Sequence, residues 1–202
     1  VVIVTGAAQG IGRGVALQVA DEGAQVVLAD LSDYVDETLA EIEAHQGDAI
    51  TVKANLETFA GAQSVVDKAL EVYGRVDVLI NNAGIAETAP FLRHGRETGV
   101  DLYEKHLRTN FHGPRRLIER FAPEMLERGH GRIINVASSA GLRGYPYAAA
   151  YVASKHALVG YTRCAAAELA GKDVTMNLVC PHYVDSPMTE QTVARIVKKT
   201  GR

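Results

Sequence analysis

The chain has 202 residues, long enough for one domain with a real core. Hydrophobic residues make up 47%, charged residues 22%, and the net charge is −3 without a dense basic block, which argues against nucleic acid and anionic membrane as primary partners. No apolar run approaches the ~18 residues of a membrane span, and no signal-peptide pattern is present. Cys164 and Cys180 lie in apolar surroundings outside any CxxC or Cys/His spacing, so they are expected as reduced core residues of a cytoplasmic protein with no metal site.

Strand-like and helix-like segments alternate along the chain without repeats or linkers. The β-branched run VVIV (1–4) ends in a glycine-rich turn, TGAAQGIG (5–12), and GVALQVADEG (14–23) continues as a helix stopped by Gly23. A second strand, QVVLAD (25–30), precedes an amphipathic helix, YVDETLAEIEAHQG (34–47), closed by Gly47. AITVKANL (49–56) reads as the third strand, GAQSVVDKALEVYG (61–74) as a helix, and VDVLINNAG (76–84) as the fourth strand and its turn. One long helix is predicted over 100–129, then a fifth strand, GRIINVASS (131–139). An alanine-rich helix opens in PYAAAYVASKHALVGYT (146–162), and VTMNLVCP (174–181) is the sixth strand. Glycine just past a helix is the expected stop signal. Val1 already sits inside a strand pattern and KKTGR (198–202) resembles a helix breaking into a loop, so the chain reads as trimmed at both ends.

The strands are continuous apolar runs, the pattern of parallel strands covered on both faces. Right-handed crossovers then predict an α/β fold, a doubly wound parallel sheet in a single domain spanning 1–202. In such sheets ligands bind outside the carboxyl ends of the strands, so the residues after each strand carry the functional reading. After the first strand, Gly6, Gln9, Gly10, Ile11 and Gly12 let the backbone approach a pyrophosphate at a helix N-terminus. After the second, Asp30, 20 residues beyond Gly10 and followed by Leu31, is placed to accept the adenosine-ribose hydroxyls and to repel a 2′-phosphate. NAD is therefore expected over NADP. After the third, Asn55 with Leu56 is either an adenine contact or a turn-forming asparagine. After the fourth, Asn81 and Asn82 suggest a polar network between strands, while Ala83 and Gly84 leave room for a flat ligand. Ser138 follows the fifth strand and Pro181, His182, Tyr183, Val184, Asp185 and Ser186 follow the sixth. On the alanine-rich helix Tyr151 and Lys155 stand four residues apart and share a face.

Taken together, TGxxxGxG at 5–12, Asp30, NNAG at 81–84, Asn110, Ser138 and YxxxK at 151–155 resemble the short-chain dehydrogenase/reductase family, from Val1 to about Met188. The serine-to-tyrosine separation of 13 residues also resembles that family and selects Ser138 over Ser139. The resemblance implies a hydride-transferring enzyme acting on a secondary alcohol or ketone. Tyr151 would be the general acid/base, with its pKa lowered by Lys155. Lys155 would also bind the nicotinamide ribose, Ser138 would orient the substrate oxygen, and Asn110 would hold a water linking Lys155 to solvent. The stretches 154–169 and 179–188 are similar to bacterial 3-oxoacyl and polyketide ketoreductases, many of which prefer NADPH. A homodimer or homotetramer packed through the helices near 100–128 and 151–170 is also implied.

Two departures stand out. His182 replaces the glycine usual after that proline, and would be strained if the position demanded a positive φ. The chain also stops before the substrate-covering helix and seventh strand usual in the family, the segment from about 186 reading as the beginning of that cover. These departures favour a catalytically silent dinucleotide-binding module, whereas the intact Ser138, Tyr151 and Lys155 oppose it. The glycine pattern TGxxxGxG disfavours a dehydratase or epimerase of the extended branch. Ile85, Glu87, Leu142 and Arg143, with Tyr145, Tyr147, His182 and Tyr183, are the candidate walls of a mixed, aromatic-rimmed substrate pocket.

Overall fold

The computed structural model describes residues 1–93, 101–186, 189–190, 192–194 and 197. Its strands are β1 (Val2–Thr5), β2 (Gln25–Asp30), β3 (Asp48–Lys53), β4 (Val78–Asn81), β5 (Gly131–Val136) and β6 (Val174–Val179). The helices are α1 (Gly10–Asp21), α2 (Val35–Ala44), α3 (Phe59–Tyr73), α4 (Leu102–Leu107), α5 (Gly113–Arg128) and α6 (Ala149–Glu168). All strand pairs are parallel, in the order β3-β2-β1-β4-β5-β6. The order reverses at β1, so the crevice beyond the carboxyl ends of β1 and β4 is the topological switch point.

Alternation along β1 shows why its run of apolar residues is continuous. Ile3 packs into one layer with Leu117, Phe121 and Met125 of α5 and Val65, Val66 and Ala69 of α3. Val2 and Val4 face the opposite layer, with Ala16 and Ala20 of α1 and Val35 and Ile42 of α2. Each fully buried side chain of this size contributes about 1.5–3 kcal/mol of transfer free energy, so both layers are needed. Thr58 caps α3 by accepting the Gly61 N–H at 2.9 Å, and Gly74 ends that helix in the left-handed region at φ 71°.

Three expectations are corrected. The long helix predicted over 100–129 is interrupted, and its predicted start at Val100 lies outside the described residues. Pro114 has no N–H for the carbonyl of Asn110 four residues back. The chain widens there into a π turn over Arg108–His112, in which the Gly113 N–H bonds to the Arg108 carbonyl. The fifth strand stops at Val136, because Ser138 accepts the Ala140 N–H at 3.1 Å and starts a short 3-10 turn. Cys164 is not a core residue but is exposed on the outer face of α6, whereas the half-buried Cys180 packs against Ala137, Leu158 and Val159; both are free thiols. Among the described residues β6 pairs only with β5, and most of the segment 192–200 lies outside them, as does Met188.

Candidate active site

The glycine turn after β1 works by backbone shape. Gly6 and Gly10 have φ of +69° and +57°, conformations that L side chains rarely adopt. No side chain caps the N-terminus of α1, so its first N–H groups stay available to an anion. Asn82 braces this turn, its amide donating to the Thr5 and Gly6 carbonyls at 3.0 and 3.1 Å. The backbone N–H groups of Asn82 and Ala83 both donate to the Thr5 hydroxyl at 3.0 Å. The strand-tying network is present as well: Asn81 donates to Asn135 at 2.8 Å, and Asn135 to Thr162 at 2.9 Å.

One cleft runs along the strand ends and gathers almost the whole predicted set. Gly6, Gln9, Gly10 and Ile11 line it, as do Asp30, Leu31, Asn55 and Leu56. So do Asn82, Ala83, Gly84, Ser138, Tyr151, Lys155, Pro181, Val184 and Ser186. Gly12 is the exception among the predicted cofactor residues. A Cβ there would meet the Gly6 carbonyl oxygen at 2.0 Å and the Asn82 amide at 2.4 Å, so this glycine packs α1 beneath the turn instead of facing a ligand.

At the adenosine end, Asp30 is aimed by two backbone donors, Ala8 N–H and Ser32 N–H, each at 2.9 Å on a different carboxylate oxygen. Each oxygen keeps a further lone pair for a hydroxyl. Lys53, in register with Asp30, is paired with Asp33. Asn55 spends its side-chain oxygen on the Glu57 N–H at 3.0 Å, the turn-forming alternative. The loop after β6 crosses towards the glycine turn, so that a Cβ on Gly10 would lie 3.6 Å from that of Ser186. His182 does not adopt a positive φ and the feared strain is absent; among the described non-glycine residues only Gln46 and Tyr147 do.

The reactive cluster sits where β5, α6 and the π turn meet. The Lys155 side chain is buried and its ammonium donates to the Val136 carbonyl at 2.9 Å. Burial pulls its pKa down to about 8, against a smaller opposing effect of Cys180. Tyr151 departs from expectation: burial raises its phenol above the ordinary value, and the Ser138 hydroxyl pulls the other way. The Lys155 nitrogen stands 5.8 Å from the centre of the Tyr151 ring. Desolvation outweighs the hydrogen bond with Ser138. Asn110 is fully buried, accepts the Ile85 N–H at 2.9 Å, and donates to the Ile85 carbonyl and the Ser154 hydroxyl, both at 3.0 Å. Its amide hydrogens are therefore spent on bracing the loop after β4 against α6. A Cβ on Gly84 would lie 3.2 Å from the Asn110 side-chain oxygen and 3.6 Å from the Lys155 nitrogen, so the absence of a side chain there lets all three groups converge.

Two supporting residues escaped the sequence reading. Ser154 links Asn110 to the Tyr151 carbonyl, to which it donates at 2.8 Å. His106, wholly buried, packs edge-on against the Tyr151 ring at 6.3 Å between centroids. Its Nδ1 bonds the Leu102 carbonyl at 2.7 Å and its Nε2 accepts the Glu87 N–H at 3.0 Å. The signal available was spacing: His106 and Asn110 are four residues apart in KHLRTN.

Known proteins share this fold. The family model described as short chain dehydrogenase matches residues 1–196. "Oxidoreductase UcpA" of Salmonella typhimurium (strain LT2) is 37% identical over 194 residues, covering 96% of this chain and 72% of that protein. A solved variant of actinorhodin polyketide ketoreductase with NADPH superposes with a TM-score of 0.91 at 33% identity, covering 100% of this chain and 77% of that one. A short chain dehydrogenase/reductase from Burkholderia phymatum in complex with NAD gives a TM-score of 0.87 at 32% identity, covering 94% of this chain and 67% of that one. With a matching family model over nearly its whole length and the strand-end residues gathered in one cleft, this chain belongs to the short-chain dehydrogenase family.

Proposed function

We propose that this chain is an NAD-dependent oxidoreductase that interconverts a secondary alcohol and a ketone. The observation that carries it is the convergence of Ser138, Tyr151 and Lys155 on one cleft whose far end holds Asp30 and the Gly6–Gly10 turn. Bound in that cleft, the nicotinamide cofactor supplies the hydride donor or acceptor. The residues present fit it: left-handed glycines that keep the turn bare, uncapped N–H groups at α1, and a carboxylate with spare lone pairs.

The chain's own groups do the rest. The Ser138 oxygen accepts the Ala140 N–H and its hydroxyl reaches Tyr151, so a substrate oxygen entering between the two would meet both O–H groups. Tyr151 gives that oxygen a proton during reduction and removes one during oxidation. Lys155, with its pKa reduced to about 8, supplies a cation near the phenol and donors for a ribose. Pro114 takes from the Asn110 carbonyl its usual helical partner, so that carbonyl is the atom suited to hold a relay water towards Lys155. Thr109 and Gly84 also line the cleft.

The NAD preference rests on Asp30. A carboxylate fixed by two N–H donors would stand against a 2′-phosphate, and the nearest register cation, Lys53, is engaged by Asp33. NAD should bind at least about tenfold more tightly than NADP, and Asp30→Ala should erase the difference. An arginine at position 31, in place of Leu31 in the Asp30→Ala background, should turn it towards NADP. Dissociation constants for both cofactors decide the matter, and equal affinities would remove the assignment to NAD. Catalysis is tested by Tyr151→Phe, which should cost about 10²–10⁴-fold in turnover at nearly unchanged cofactor affinity. Near-normal turnover of that variant would exclude Tyr151 as the acid/base.

A further inference from the structure

Beside Ser138, two loops meet in a network that the acid/base reading does not use. His182, after β6, lines the cleft, while Ser139, Arg143 and Tyr145 belong to the connection between β5 and α6. An Arg143 Nη2–His182 Nε2 contact of 2.7 Å joins the two loops, and Arg143 Nε donates to the Tyr145 hydroxyl at 2.7 Å. A guanidinium can only donate, so His182 Nε2 is the acceptor and carries no proton in this arrangement. The Tyr145 hydroxyl also meets the Ser139 hydroxyl at 2.9 Å, and the Arg143 guanidinium lies 5.1 Å from the Tyr145 ring centre. The hydrogen bond from Ser139, and then Arg143, hold this phenol below its ordinary range, as expected beside an unneutralised cation.

Arg143, exposed at the mouth of this network, differs from other arginines in the kind of partner it has: Arg116 and Arg132 spend their guanidinium groups on backbone carbonyls. Arg13, Arg108, Arg115 and Arg120 each meet a carboxylate. Among the described residues Arg143 meets none: its partners are an imidazole and a phenol, which aim the guanidinium without cancelling its charge. Those contacts occupy two of its five N–H groups, and three remain. An oriented fork with unspent donors suits a planar anion that presents two oxygens.

We infer that this network reads an anionic group on the substrate, so that the compound handled at Ser138 and Tyr151 is an oxo or hydroxy carboxylic acid. The inference rests on the oxidoreductase reading for the reacting carbon, but not for the carboxylate. Two probe pairs test it on the intact chain: acetoacetate against methyl acetoacetate, and levulinate against methyl levulinate. Binding to the NAD-loaded chain is measured by calorimetry, and reduction with NADH is followed separately. At least one acid should bind about tenfold or more tightly than its ester, the scale of a charge-assisted hydrogen bond. In Arg143→Gln that preference should collapse towards one while the ester changes far less, and Arg143→Lys should restore it only in part. Equal binding of acid and ester by the unmodified chain, or equal loss of both in Arg143→Gln, overturns the inference. A carboxylate preference without hydride transfer would leave the anion site standing and remove the oxidoreductase reading. Turnover without the preference would do the reverse.

Discussion

At the scale of single residues, the buried Lys155 sets function against stability. Unfolded, it holds its proton up to about pH 10.5, but folded only to about 8. Between those values the unfolded chain binds more protons, so stability rises with pH through that window. Below pH 8 the full penalty stands, of order 3 kcal/mol at about 1.4 kcal/mol per pH unit. Lys155→Met should therefore be more stable than the unmodified chain near pH 7, with the gap closing by pH 10, although it loses activity. Urea unfolding of both proteins at several pH values reads this directly, and a gap independent of pH would contradict it. The pairing of Tyr151 with Lys155 was legible from their four-residue spacing, but the sign of the Tyr151 shift was not. Spacing reports which groups share a face, whereas desolvation depends on what covers that face, here the buried His106 ring among others.

At the scale of elements, two of the three glycines of α1 make opposite demands. Alanine is worth up to about 1 kcal/mol over glycine inside a helix. Gly14 is exposed, with nothing within 4 Å of an added Cβ, so Gly14→Ala should stabilise by about 0.5–1 kcal/mol. At Gly12 the same methyl would strike the Gly6 carbonyl oxygen and the Asn82 amide. The Gly6 oxygen is backbone and cannot rotate aside, so the clash overrides helix propensity and Gly12→Ala should destabilise by at least about 2 kcal/mol. Urea midpoints of the two variants should move in opposite directions; a shared direction would mean that α1 does not seat on the turn as described. The parallel sheet and the helices α1, α2, α3 and α6 followed from apolar runs, periodicity and glycine stops, but the strand order and the break before α5 did not. Apolar spacing runs on through Leu107 and Leu117, and the interruption is written only in Gly113 and Pro114. That break matters because it frames Asn110, the residue that ties α6 to the loop after β4.

At the scale of the whole molecule, the outward face of α6 is the feature that one chain leaves unexplained. Leu158, Val159 and Leu169 turn inward, but Ala153, Gly160, Cys164 and Ala167 form an exposed stripe at helical spacing. The sequence placed Cys164 in a core because its neighbours are apolar. The structure exposes it, and a core formed between two copies would reconcile the two. Small residues allow helices to approach closely, and a two-fold axis brings the same stripe against itself. The chain should therefore behave as a dimer or tetramer, with a light-scattering mass of at least twice 21.7 kDa at micromolar concentration. Ala167→Glu would place like charges opposite one another across such an axis and should shift the mass towards one chain. Cys164 should then react faster with a thiol reagent than in the unmodified protein. A single-chain mass for the unmodified protein, with Cys164 freely reactive, would mean that α6 meets solvent on this face and that the site functions without a second copy.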